Sequence, residues 1–524
     1  MRIERFTWGQ DNPPTFHDET VDYSSAQPRS APGEISPHGG EFAATGGITG
    51  PLKGSQGDPS LISTAYTTAK GRSKREREQL ASEVNNYQRA DMDQVRKDPT
   101  FFEALTNTFR NEDIFPYMRR SDFNGNTEHD ARAVIDRIKS NLHALWNDIS
   151  QDERLLWRGW YEGAHNLITD RMKQYPGVDR ASMTAMYAVQ SAGTMWDVNV
   201  HLGDRVLDTV FHHASDKWDK SMADAAQTQL ENAVKGLEKK GEKAKQNVKE
   251  VRKLFNEVKK AGSFTAQKDD RHRAAWVKLW NDAHDNTPVR EVGIDGKMGA
   301  PIKNKGVDEN GDPAELSGAF GTLNRIENAL RALHSKGDLN EISSLLGRQH
   351  KVRSFYNNIL DPNSANDDVT VDTHAGGAAW LDPLGSHSTV IDQMLGGSPR
   401  SGEPASPKSD KLGIRATYPF YADAYREVAK EVGLDRPREL QSILWEHKIS
   451  LFKNAPKAKK ALVREAWQRF HDNPNISLEQ TQQRVLRIAK SGYDLEERRK
   501  RRERMKDGTE LDYWSDEAIW HPID

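Results

Sequence analysis

Two side chains in this sequence, a lysine and an aspartate, are of types that could carry out chemistry. Lys351 closes the run Leu345, Leu346, Gly347, Arg348, Gln349, His350, and Asp372 follows the β-type run Val369, Thr370, Val371 twenty-one positions later. A lysine amine becomes a nucleophile once it loses its proton, and burial or cations such as Arg348 and Arg353 would lower its pKa toward that state. An aspartate can orient or deprotonate an attacking water or amine and stabilise developing positive charge. Each residue also has a plain structural role. Lys351 suits the exposed start of a helix, and Asp372 suits the N-cap of a helix over 373–380, where its carboxylate accepts free backbone amides. Capping and catalysis are compatible, because a cap fixes the carboxylate at the helix start.

These residues need a scaffold. Gly347 marks a place where the backbone takes positive φ or comes close to a ligand, and Arg348 and His350 offer side chains for phosphate contact. Helical apolar spacing dominates the flanking sequence, so the expected fold class is mostly α.

The order and spacing of Lys351 and Asp372 resemble those of the helix-hairpin-helix DNA glycosylases of the endonuclease III type. In that family the turn reads Leu-Pro-Gly-Val-Gly-x-Lys. Gly347 and Lys351 match it, whereas Leu346 replaces the proline and Gln349 the second glycine. The stretch from Val369 to His374 resembles the family's hydrophobic-Val-Asp-Thr-His segment. The helix from Met183 to Asn199 resembles the family's early helix, with Thr194 on its threonine. There Gln190 stands at the family serine and Ala192 at the glutamine that fills the gap left by an extruded nucleotide, leaving Gln190 or Met195 as substitutes. The likeness covers about 155–212 and 323–455. The whole pattern looks still more like bacteriophage-encoded proteins than like cellular repair enzymes.

The resemblance implies a two-lobed helical domain of the helix-hairpin-helix glycosylase type with DNA held between the lobes. It implies that Lys351 attacks C1′ to form an imine, or that Asp372 activates water at the same carbon. Gly347, Arg348, Gln349, His350, Arg353, His374 and Gln190 would contact nucleic acid. No metal and no cofactor are required. Expected partners are DNA and phage structural proteins, in the host cytoplasm or the virion. One alternative is a non-enzymatic phage protein, virion-associated or packaged with DNA, that keeps the fold for binding or assembly. Another is a regulatory module that acts on a host protein.

Composition narrows the classes. The chain has 524 residues and no cysteine, which excludes disulfides, thiolate zinc sites and cysteine-held iron–sulfur clusters. A formal charge of −3 gives no global attraction to nucleic acid, so phosphate binding must come from a local basic face. No run approaches eighteen apolar residues, so no membrane-spanning helix is expected. The first residues lack an apolar signal core, so secretion by a standard signal peptide is not expected.

Along the chain, residues 1–72 are rich in Gly, Pro, Ser and Thr and read as a disordered arm. Residues 73–150 form an N-terminal helical segment, with a charged helix from about 74 to 90 and a helix opening at Asp98 and Pro99. Residues 151–213 make the first part of the glycosylase-like domain, with Leu155, Leu156, Trp160, Ala164, Leu167 and Ile168 on one buried face. Residues 214–322 form a long charged helical insertion. Leu230, Val234, Leu237, Gly241, Ala244, Val248, Val251, Phe255 and Val258 recur there at heptad-like steps, and Gly236 and Gly241 favour a break and hence a hairpin. The sequence that follows is loop-like. Asp308, Asn310 and Asp312 imitate the start of a calcium loop, but Pro313 stands where its glycine belongs. Residues 323–455 make the second part of the domain, with a flexible excursion at 396–411. Residues 456–524 form a C-terminal tail whose 496–506 segment is strongly basic. His165, His201, His212 and His213 lack a metal-binding frame, and the aromatic residues, including Trp160, Trp196, Phe355 and Trp445, read first as core.

Overall fold

A computed structural model describes residues 90–491, apart from 192–193, 236–241, 286, 308–312, 321, 348, 365–366, 398–402 and 453–454. The expected arm, the charged helix at 74–90, the calcium-loop imitation and the basic tail lie outside the described residues. What is described is mostly helical, and its strands are short antiparallel pairs.

Two hydrophobic cores organise the helices. The first begins with α1 (Met92–Val95), α2 (Pro99–Phe109) and α3 (Thr127–Asp148). Asp98 caps α2 ahead of Pro99, as the Asp-Pro signal predicts. Val134, Ile135, Ile138, Leu142 and Leu145 of α3 are buried on the face their spacing defines. Next comes α4 (Gln151–Arg158), and then α5 (Trp160–Gln174) starts the second core. The single buried face expected from 152 to 174 is therefore two helices. The chain turns at Gly159, and Leu155 and Leu156, 63% and 55% exposed, point away from the face they were assigned to. Once the helix is interrupted, the angular phase of residues before the break no longer predicts that of residues after it.

The second core continues through α6 (Arg180–Gln190), α7 (Trp196–His212), α8 (Lys220–Lys235), α9 (Glu242–Ala261) and α10 (Asp270–His284). Both α8 and α9 pack on α10 as well as on each other. The heptad seam thus meets a third helix of its own chain, where Val251, Phe255 and Val258 bury. The loop-like region carries two hairpins, β1 (Arg290–Val292) with β2 (Met298–Pro301) and β3 (Lys303–Val307) with β4 (Pro313–Glu315). The first hairpin docks on α5. A Cβ at Gly163 would lie 1.7 Å from the Ile294 carbonyl oxygen, so only glycine permits this approach.

Three helices complete this core: α11 (Leu323–His334), α12 (Leu339–Leu346) and α13 (His350–Leu360). The chain then returns to the first core with α14 (Thr373–Trp380), α15 (Thr389–Leu395) and the pair β5 (Lys408–Ser409) and β6 (Ile414–Arg415). Helices α16 (Tyr418–Glu431), α17 (Pro437–Phe452), α18 (Lys457–Asp472) and α19 (Leu478–Lys490) close it. Helix α17 touches α3, α4, α5 and α14, and so spans both cores. The β-type run before Asp372 is not a strand. Side chains hold it: the Tyr418 hydroxyl donates to the Val369 carbonyl at 2.6 Å and accepts from the Val371 amide at 3.0 Å, and Asn358 donates to the Asp368 carbonyl at 3.2 Å. No helix of the described residues is long and apolar enough to cross a membrane.

Candidate active site between the two cores

Helices α12 and α13 meet in a tight turn at Gly347, whose φ of +58° explains the glycine. A Cβ there would meet nothing within 4 Å, so backbone conformation, not crowding, requires it. Lys351 follows in the first turn of α13 and is partly buried. Its Nζ donates to the Ser191 carbonyl at 2.6 Å and lies 5.7 Å from the centre of the Phe355 ring. Removal from water lowers the amine's pKa to about 8; Asp372 pulls it back up and Arg325 pushes it down. The cation near the amine is Arg325, which donates to Thr194 at 2.9 Å. Arg353, expected to help, instead bonds Gly347 and Ser343 carbonyls and holds the end of α12.

Asp372 caps α14, accepting the Ala375 amide on Oδ1 at 2.8 Å. Its second oxygen accepts the Trp445 indole N–H at 3.1 Å. One carboxylate therefore caps α14 and also anchors the Trp445 indole. The amine belongs to a helix of the second core and the carboxylate to a helix of the first, and they lie within electrostatic reach.

Aromatic rings join them. Phe355 lies 6.1 Å from Trp160, Trp160 lies 5.6 Å from Trp445, and Trp196 packs on both Phe355 and Trp160 at 5.7 and 5.4 Å. Such edge and tilted contacts suit aromatic quadrupoles and make a firm wall. Trp445 also meets His374 edge-on at 5.7 Å, and the Lys448 ammonium lies 3.2 Å from His374 Nδ1.

The remaining expected contacts divide. His374 stands beside Asp372 and Trp445, and Gln349 is exposed at the turn before α13. His350 is buried near Tyr418, with burial and then Arg415 and Arg353 pushing its pKa down to about 3. Gln190 is also buried and donates to the Met186 carbonyl of its own helix at 3.2 Å, so it does not project as a wedge. Arg348 lies outside the described residues. Sequence reasoning undervalued Trp445, assigned first to core, and missed Ser191 and Arg325. A carbonyl acceptor and a distant arginine carry no local sequence signal.

The arrangement provides a partly neutral amine, a carboxylate and an aromatic wall. Among the described residues no group of His, Asp and Glu is placed to hold a metal. Compared with family models, curated proteins and solved structures, the chain matches none.

Proposed function

We propose that this protein binds DNA and acts on an extruded nucleotide as a helix-hairpin-helix glycosylase does, with Lys351 as nucleophile and Asp372 as its acid–base and electrostatic partner. One observation carries the reading: an amine with a pKa of about 8 and a carboxylate come from different cores to opposite ends of one aromatic wall. At pH 7 about one such amine in eleven is neutral, several hundred times the fraction of an ordinary lysine. In the reaction the neutral amine donates its electron pair to C1′. The base departs with the glycosidic pair and takes up a proton. Asp372 accepts the proton released by the amine and returns it to O4′, which leaves with the C1′–O4′ pair as the nitrogen lone pair forms the imine; the base takes its proton from solvent. The half-buried Trp445 offers a face on which an unstacked base can rest.

Borohydride reduction tests the reading by trapping that imine as a stable amine. A covalent adduct with DNA carrying a susceptible base, lost in Lys351→Ala, is expected. Failure across damaged, uracil-containing and hypermodified duplexes, with Lys351→Ala behaving as the parent, rejects it.

A second reading is favoured by the engagement of the amine with Ser191 and by rings at Trp160, Trp196 and Phe355 that are each less than a tenth exposed. In that reading the chain is a non-enzymatic phage protein, virion-associated or packaged with DNA. Stoichiometric presence in purified particles supports it, and absence from them together with catalytic turnover defeats it.

A further inference from the structure

Helix α9 buries one side and exposes another of opposite character. Val248, Val251, Phe255 and Val258 pack inward, while Lys249, Arg252, Lys253, Asn256 and Lys260 are exposed. Steps of three and four residues put the exposed set, together with Glu257, in one stripe along the helix. These six residues line a shallow open depression. The single acid among them is already held, since Glu257 accepts from Lys268 at 2.5 Å and His272 Nε2 lies 3.0 Å from it. Lys253 approaches it only to 3.9 Å and keeps 79% of its side chain exposed. Four cations therefore face solvent in a chain whose overall formal charge is −3.

We propose that this stripe is a second nucleic-acid surface, on which the phosphate backbone of duplex DNA lies without regard to sequence. From Lys249 to Lys260 the helix rises about 16 Å, the axial span of roughly five phosphates of one strand at about 3.4 Å each. Four cations on such a span match the anion density they would meet. The chemistry disfavours other polyanionic partners. A helix that lies on a membrane needs its apolar face for the bilayer, and here that face is buried in the protein core. A specific acidic protein would be anchored by aromatic or aliphatic residues at the centre of the patch, and none line it. The proposal needs no chemistry at Lys351, so a chain that never cleaves a glycosidic bond can still use this surface.

The test is equilibrium binding of the full chain to a short, unmodified, fluorescein-labelled duplex across a salt series. One variant carries Lys249→Gln, Arg252→Gln, Lys253→Gln and Lys260→Gln. A charge-matched control carries Lys411→Gln, Lys430→Gln, Lys457→Gln and Arg487→Gln, all exposed elsewhere. Each phosphate contact contributes about 0.9 to the slope of log K against log salt. The stripe variant is therefore expected to lose about 3.6 from that slope and on the order of tenfold or more in affinity at low salt. The control should keep the parent slope. An unchanged slope in the stripe variant overturns the proposal. So does a parent that ignores the duplex yet binds phosphatidylserine vesicles or polyglutamate through these four residues. Because the duplex has no susceptible base and nothing is trapped, failure here leaves the glycosylase reading standing, and the reverse also holds.

Discussion

The clearest consequence of the site geometry is that Lys351 should weaken the fold at neutral pH. Moving its pKa from 10.5 to about 8 means that the folded chain holds the charged amine less well than the unfolded chain does. At about 1.4 kcal/mol per pH unit, the cost is on the order of 3 kcal/mol. The sign follows from proton binding. Below pH 8 both states are protonated and the full cost is felt. Between pH 8 and 10.5 the folded state releases its proton first, so the cost fades as pH rises and is gone above the unfolded value. Replacing Lys351 with methionine removes the charge while keeping a long flexible side chain. It also removes the bond to Ser191, at a cost of about 1 kcal/mol. The net expectation is that Lys351→Met is more stable than the parent by roughly 1–2 kcal/mol at pH 7. By about pH 10.5 that advantage should vanish or reverse. Urea unfolding of both proteins from pH 6 to 10.5 measures the difference directly, and shared titrations cancel in the comparison. A difference that stays flat over this range, or a variant less stable at pH 7, refutes the argument that burial has lowered the amine's pKa.

Two further substitutions probe the carboxylate near it and a buried ion pair elsewhere. Asp372→Asn keeps a side chain that caps well but removes the charge that raises the Lys351 pKa. The pH window of the lysine effect should therefore move below 8 in the same urea series, and imine trapping should fall sharply even though neutral amine becomes more abundant. Asp204 sits fully buried between Arg171, bonded at 2.7 and 2.8 Å, and the Tyr187 hydroxyl, tying α5 to α6 and α7. Asp204→Asn strands a buried guanidinium and should cost about 3–5 kcal/mol in urea unfolding; a loss below about 1 kcal/mol would show that solvent reaches the pair.

Much of the local structure was legible before any coordinates. Asp98 and Asp372 each accept backbone amides at helix starts, as read from the sequence, because a short carboxylate at that position meets donors that have no partner within the helix. Leu155 and Leu156 were misread because Gly159 resets the helical phase, and the strength of a break cannot be judged without the contacts that favour it. Gln190 and Arg353 were expected at a ligand and are instead spent on their own helices and turn. Residue type says what a side chain can donate, whereas its neighbours decide where the donation goes.

What the sequence determined alone was chemistry that is local along the chain: helices where apolar residues recur at helical spacing, caps at their starts, a glycine turn before Lys351, and the exclusion of cysteine-based chemistry. Only the tertiary structure decided that Lys351 and Asp372 come from separate cores, that Trp160 and Trp445 bridge them, and that Arg325 rather than Arg353 faces the amine. The reason is the range of the forces. Backbone hydrogen bonds and capping act over a few residues and leave a periodic trace, whereas desolvation and Coulomb coupling act through space between groups whose separation along the chain carries no signal.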